Sequence, residues 1–244
     1  MKKLDHKNIG KDLSFSQAKK DIDNLIVELD QKHYLQRKVK FLLDIRGYLK
    51  VNEIKGSYVE FGSFKSEMQY SAFKILEGTG CMEKYIGLDS FEGEIRVSEK
   101  DKEHNLYESS RDFLCNYKSV KKFVSSEIGK SGHIIKGDFR KEKVQDKFRS
   151  IAGPISVAVL DCNFISSTSA ALELLSEFAV PGCVLFFDDY FTNFRNGDPA
   201  IPSLIHEFFS AGPCCHLDEK KKNFSLLELG FYPPFAKSFL LVED

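Results

Sequence analysis

Apolar residues set the layout of this chain. Between residues 16 and 49, Leu25, Ile26, Leu29, Leu35, Val39, Leu42, Leu43 and Leu49 recur three and four residues apart among charges. That period predicts one interrupted amphipathic helix or two, serving as a cover for one sheet face or as a contact between copies of the chain. Downstream the period changes. Short dense apolar runs predict strands at 58–61, 85–88, 133–136, 155–160 and 183–187, the last entered through a turn at Pro181-Gly182. Helical spacing returns between them, from Glu67 onward, over 110–127 with Phe113, Leu114, Tyr117, Val120 and Val124 as its stripe, and over 141–148 and 167–178. The run 155–160 shows no alternation at all, the mark of a strand buried on both faces in the middle of a parallel sheet.

A further helix is predicted after Pro202, and the runs 224–229 and 238–242 flank Pro233-Pro234 as an antiparallel pair. Strands alternating with helices require right-handed crossovers. The expected fold is therefore α/β, a doubly wound, mostly parallel sheet with an antiparallel C-terminal edge and an N-terminal helical cap. No repeat or linker divides the chain, so one domain is expected over 1–244, with the cap at 1–56 and the core at 57–244. Residues 94–109 follow neither period and come directly after a strand end, which predicts a lid insertion.

Composition narrows the partners. With 244 residues and 42% hydrophobic content, the chain can bury roughly 70–75% of its unfolded surface in a single core. A net charge of -1, from 35 basic and 36 acidic side chains, leaves no footprint for nucleic acid. No apolar stretch reaches the length of a membrane span or of a signal-peptide core, so a soluble, cytoplasmic chain with a small-molecule partner is expected, with a homo-oligomer through the N-terminal helices left open. The six cysteines contain no C-x-x-C pair and read as buried thiols.

The candidate chemistry lies at strand ends. Ligands of such sheets sit beyond the carboxyl ends of the strands, and Glu60-Phe61-Gly62, Asp89, Gly137-Asp138, Asp161 and Asp188-Asp189 all fall there. Gly62 lets the backbone approach a ligand, and Asp89 can accept two hydrogen bonds from vicinal ribose hydroxyls, or else cap a helix. Gly62 is followed by Ser63, Phe64, Lys65, Ser66 and Glu67, so the G-x-G-x-x-G phosphate loop is missing, and Glu60 would repel a pyrophosphate. A cationic nucleoside such as S-adenosylmethionine suits these residues better than the dinucleotide of an oxidoreductase. Asp161, Asp188 and Asp189 can converge on a hard divalent cation such as Mg²⁺; the alternative is that they cap loops and accept amide hydrogen bonds.

The segments VEFGSFKSE, GLDSFEG, KGDF, VLDCNFISSTSAALELL and PGCVLFFDDY, in this order over residues 58–190, resemble the macrocin O-methyltransferase (TylF-type) family, and the metal arrangement is similar to that of catechol O-methyltransferase. The resemblance implies a Rossmann-like class I fold and an S-adenosylmethionine-dependent, Mg²⁺-assisted O-methyltransferase acting on a small hydroxylated acceptor, a sugar or glycosylated metabolite. It implies that Glu60, Gly62 and Ser63 line the methionine part of the cofactor. Asp89 would hold the ribose beside Ser90 and Phe91, and Gly137, Asp138 and Phe139 would border the adenine. Asp161, Asp188 and Asp189 would bind Mg²⁺, Asp161 also bordering the cofactor.

Two positions depart from the family. Its Gly-Gly is Ser66-Glu67 here, and the acid proposed as its general base, two residues after the first metal aspartate, is Asn163. The lysine that catechol O-methyltransferase carries one residue later is Phe164. Asn163 can orient the acceptor, and His104 in the insertion is a candidate base that a closing lid would bring in. The alternative is a non-catalytic protein of this fold that binds cofactor or partners.

Overall fold

The computed structural model describes residues 15–94, 101, 113–192, 200–210 and 224–243. The chain divides into two compact units, Met1–Gln36 and Arg37–Asp244. The helix α1 (Phe15–Val51) runs without interruption through that boundary. In the first unit it presents Ile22 and Tyr34 to solvent. In the second, Phe41, Leu42, Ile45 and Leu49 are buried, whereas Leu43, expected inward, is 48% exposed. The inward stripe is thus set by the 38, 41/42, 45, 49 spacing, and Leu43 falls off it.

The second unit is built on a seven-stranded sheet in the order β3-β2-β1-β4-β5-β7-β6. Its first five strands, β1 (Gly56–Phe61), β2 (Met82–Asp89), β3 (Gly132–Lys136), β4 (Ile155–Leu160) and β5 (Ala179–Phe187), pair in parallel. The hairpin β6 (Phe224–Tyr232) and β7 (Ala236–Glu243) closes the other edge. Here β7 lies between β5 and β6 and is antiparallel to both, so β6 runs in the direction of the first five strands. All six residues of β4 are buried, as expected of a central strand.

Pro181-Gly182 falls inside β5 and does not precede it. Ile155 pairs with Ala179 and Val157 with Val184, so β5 carries extra residues opposite β4. Gly182, at φ +80°, belongs to that irregularity.

The connecting helices are α2 (Glu67–Leu76), α3 (Tyr117–Glu127), α4 (Glu142–Ile151), α5 (Ile165–Phe178) and α6 (Ala200–Ser210). α3 starts later than the apolar stripe suggests, because Asn116 caps it by accepting the Ser119 N–H at 3.1 Å. Phe113 and Leu114 therefore precede the helix and stand 41% and 60% exposed. The sheet is covered on both faces. Ala158, Leu160, Leu185 and Phe187 pack with Phe148 of α4, the α5 leucines and Ile201 and Ile205 of α6. Val157, Val159, Val184 and Phe186 pack with Phe41, Leu42, Ile45 and Leu49 of α1, Met68 and Ala72 of α2, and Val120 and Val124 of α3. Alternate residues of one strand thus serve two cores, which is why β4 is buried along its whole length. Among the described residues, no helix is long and apolar enough to cross a membrane.

Candidate cofactor and cation site

The ends of β1, β2, β4 and β5 are stitched together by backbone. The N–H groups of Gly62 and Ser63 both donate to the Leu88 carbonyl, at 2.8 and 3.1 Å, Asp161 N–H donates to Phe61 O at 2.9 Å, and Asp188 N–H to Leu160 O at 3.0 Å. Gly62 adopts φ +91°, and a Cβ built on it would stand 1.9 Å from the Asp161 carbonyl oxygen. The missing side chain makes room for the chain leaving β4.

The turn after Gly62 holds Phe64 and Ser66 in the left-handed region, at φ +44° and +61°. Ser66 is the N-cap residue of α2, yet its side chain makes no capping bond. Its hydroxyl is buried and, like that of Ser63, has no hydrogen-bond partner among the described residues. Ser63 faces Gly87 of β2, where an added Cβ would meet its Cβ and Oγ at 2.9 Å.

Asp89 closes this turn. Its Oδ2 accepts the Phe64 N–H at 2.8 Å and its Oδ1 the Phe91 N–H at 2.6 Å. Burial pushes the carboxyl up, and the two amides oppose the shift. Each oxygen retains a lone pair for a further donor. Ser90 Oγ donates to Gly93 O at 3.0 Å and accepts the Glu92 N–H at 3.1 Å, while the Phe91 ring packs 5.3 Å from that of Tyr117. On the neighbouring strand Glu60 is buried, with the Tyr58 hydroxyl donating to its Oε2 at 3.1 Å. Burial pushes the Glu60 carboxyl well above the usual range, against the opposing Lys38 charge.

After β3, Gly137 lies at φ +140° with the Val144 side chain where its Cβ would be. Asp138 is committed to Arg140, whose Nε and Nη2 donate to its two oxygens at 2.9 and 3.0 Å. Burial works against ionisation there, but Arg140 holds the carboxyl below its ordinary value. The Phe139 ring sits 5.3 Å from that of Phe61, within the core.

Asp161, Asp188 and Asp189 converge, each offering a carboxylate oxygen within 4.8 Å of the others. Two cations from α1 already face them, and the expectations drawn from the chain contained neither. Arg37 grips Asp188 with both arms, Nε to Oδ1 at 2.9 Å and Nη2 to Oδ2 at 2.7 Å. The buried Lys38 Nζ bonds Asp161 Oδ2 and lies 3.5 Å from Asp188 Oδ2.

Burial pushes Asp161 up to about 7, against Lys38, and pushes Asp189 up to about 8, reinforced by Asp188 and Asp161. Asp188 goes the other way: burial opposes its ionisation, but Lys38 and Arg37 together outweigh it. Lys38 stays charged, because the attraction of Asp161 and Asp188 exceeds the cost of burying it. One signal could have found it: Lys38 falls on the same helix stripe as Phe41, Leu42, Ile45 and Leu49, and a charge on a buried stripe needs a partner.

Asn163 is tied to the start of the insertion, its Nδ2 donating to Glu94 Oε1 at 2.7 Å. Asp101 anchors the same insertion to α5 by accepting the Ser166 N–H at 3.1 Å and its hydroxyl at 2.7 Å. Of the expected lid, Glu94 and Asp101 are described, and both are buried. His104 lies outside the described residues.

The chain resembles several solved methyltransferases in shape. The O-methyltransferase NovP superposes with a TM-score of 0.66 at 14% sequence identity, over 85% of this chain and 80% of that one. The calicheamicin methyltransferase CalS11 gives 0.58 at 17% identity, over 93% and 86%. Its apo form, a TDP-rhamnose 3'-O-methyltransferase, gives 0.51 at 17% identity, over 93% and 88%. This is the class I methyltransferase fold. No family model matches the chain. No curated protein matches it either. At such identities the likeness concerns the fold, and the chemistry has to be argued from the site.

Proposed function

We propose that this chain is an S-adenosylmethionine-dependent O-methyltransferase of the macrocin (TylF) type, acting on a small hydroxylated acceptor, a sugar or glycosylated metabolite. The observation that carries the reading is the abutment of Gly62 on Asp161, which makes the strand-end turn with Asp89 and the three-aspartate cluster two halves of one site. NovP and CalS11, named as O-methyltransferase and calicheamicin methyltransferase, support it as proteins of the same fold.

The residues fit the cofactor. Asp89 keeps acceptor capacity for ribose hydroxyls, and Ser66 holds a buried, unbonded hydroxyl at the N-terminus of α2, where a carboxylate is favoured. No glycine-rich phosphate loop is present, and Glu60, whose carboxyl burial pushes well above its usual range, is drawn toward ionisation when a further cation comes beside it. The cofactor, when bound, supplies a methyl group already activated on a sulfonium sulfur. The chain then has to align an acceptor hydroxyl and receive its proton. Asn163 cannot take that proton, but the carboxylate it holds can: Glu94 stands 2.7 Å from Asn163 and supplies the acid that position 163 lacks. That bond favours an enzyme over a non-catalytic binder.

The three aspartates, an all-oxygen donor set, also fit Mg²⁺, which would lower the pKa of an acceptor hydroxyl. Calorimetry with S-adenosylhomocysteine tests the cofactor assignment, and the absence of any binding sinks it. Transfer of labelled methyl from S-adenosylmethionine to a panel of sugars, glycosides and catechols tests the chemistry. Methylation is expected in wild type and at least about 100-fold slower in Glu94→Gln, the usual scale of a lost general base.

A further inference from the structure

Lys38 reaches into the aspartate cluster. Its Nζ touches Asp161 and Asp188, two of the three carboxylates whose oxygens lie within 4.8 Å of one another. An ion bound at this cluster would sit about 2.0–2.6 Å from an oxygen of the same Asp161 carboxylate whose Oδ2 the Lys38 ammonium bonds. Two positive charges that close in a buried pocket repel strongly. We propose that Lys38 and a divalent cation are alternative occupants of the three-aspartate cluster, so that metal loading displaces the Lys38 ammonium.

The inference rests on the metal reading above and adds a gate to it. Chemistry fits Lys38 to this task better than Arg37. Arg37 binds both oxygens of Asp188 through a rigid fork, leaving each a lone pair for an ion. Lys38 is a point charge on a flexible four-carbon stem and can leave without dismantling a bidentate pair. Its charge also acts on Glu60, an acid outside the cluster. A resident competitor lowers the apparent metal affinity in proportion to the time it holds the site.

The test is Mn²⁺ binding to the full chain, by calorimetry and by electron paramagnetic resonance, which needs no methyl acceptor. Lys38→Met is expected to bind Mn²⁺ at least about tenfold more tightly than wild type, the ratio for a site held by Lys38 nine-tenths of the time. Lys38→Arg, which keeps the charge, is expected to bind no more tightly than wild type. Equal affinities in wild type and Lys38→Met overturn the proposal and leave the metal reading standing, whereas no binding in either overturns both. Should Lys38→Met fail to fold, a crystal structure of the wild type soaked in Mn²⁺ decides. An ion on Asp161 with Lys38 moved away supports the exchange; an ion with Lys38 still bonded to Asp161, or no ion, overturns it.

Discussion

The two halves of this site satisfy their polar groups in opposite ways. Beyond β4 and β5, the buried Asp188 and the partly buried Asp161 and Asp189 face two cations, the buried Lys38 and the partly buried Arg37. Beyond β1 and β2, the buried hydroxyls of Ser63 and Ser66 have no partner among the described residues. The first half is closed by long-range ion pairs, and removing Asp188 from it strands the Arg37 charge. The second half carries an uncompensated cost that a ligand could relieve.

Gly62→Ala should have the largest effect, because it strikes the seam between the halves. The new methyl would stand 1.9 Å from backbone that cannot rotate away, at φ +91°. A loss of about 4 kcal/mol or more is expected in denaturant unfolding, and a loss below about 1 kcal/mol would mean that the seam is looser than these distances say. Asp188→Ala comes next. It strands Arg37 and weakens the hold on Lys38, so about 3–5 kcal/mol should be lost by the same measurement. An activity loss in this variant therefore reports metal binding only after stability has been measured.

Lys38→Met should cost less, about 1–3 kcal/mol, although Lys38 is the more deeply buried cation. Burial already pushes Asp161 up to about 7, so without its ammonium this carboxyl takes a proton instead of remaining a bare anion. Millimolar Mn²⁺ should restore the loss in thermal unfolding, and no response to the ion would show that the carboxylates pair only with the chain's own cations.

The same contrast marks how far the chain could be read in one dimension. The five parallel strands, the closing hairpin and the acids at the strand ends were legible, because burial on two faces writes continuous apolar runs that stop where the strand meets solvent or ligand. What pairs with those acids was not. Arg37 lies 151 positions from Asp188 and Lys38 lies 123 from Asp161, and no local period links them. Glu94 looked like the first residue of an unpatterned insertion, and only the fold brings it to Asn163, 69 positions away. Gly62 stands out in the chain for its freedom, but that its missing side chain makes room for the Asp161 backbone, 99 positions away, is visible only in the fold.

Ser66→Gly sharpens the comparison at its weakest point. Glycine accepts φ +61° without the penalty a serine bears there, and it removes a buried hydroxyl that bonds nothing. If the turn is only structural, the variant gains about 1 kcal/mol in unfolding and binds S-adenosylhomocysteine as tightly as wild type. If the hydroxyl is kept for a ligand, the same gain comes with a several-fold loss of affinity, the worth of one hydrogen bond. The second outcome is the one expected here, because a serine that is strained, fully buried, unbonded and unused as a cap is costly in four ways at once. Loss of stability would contradict both branches, for it would mean that the Ser66 hydroxyl already has a partner and that the two halves are satisfied alike.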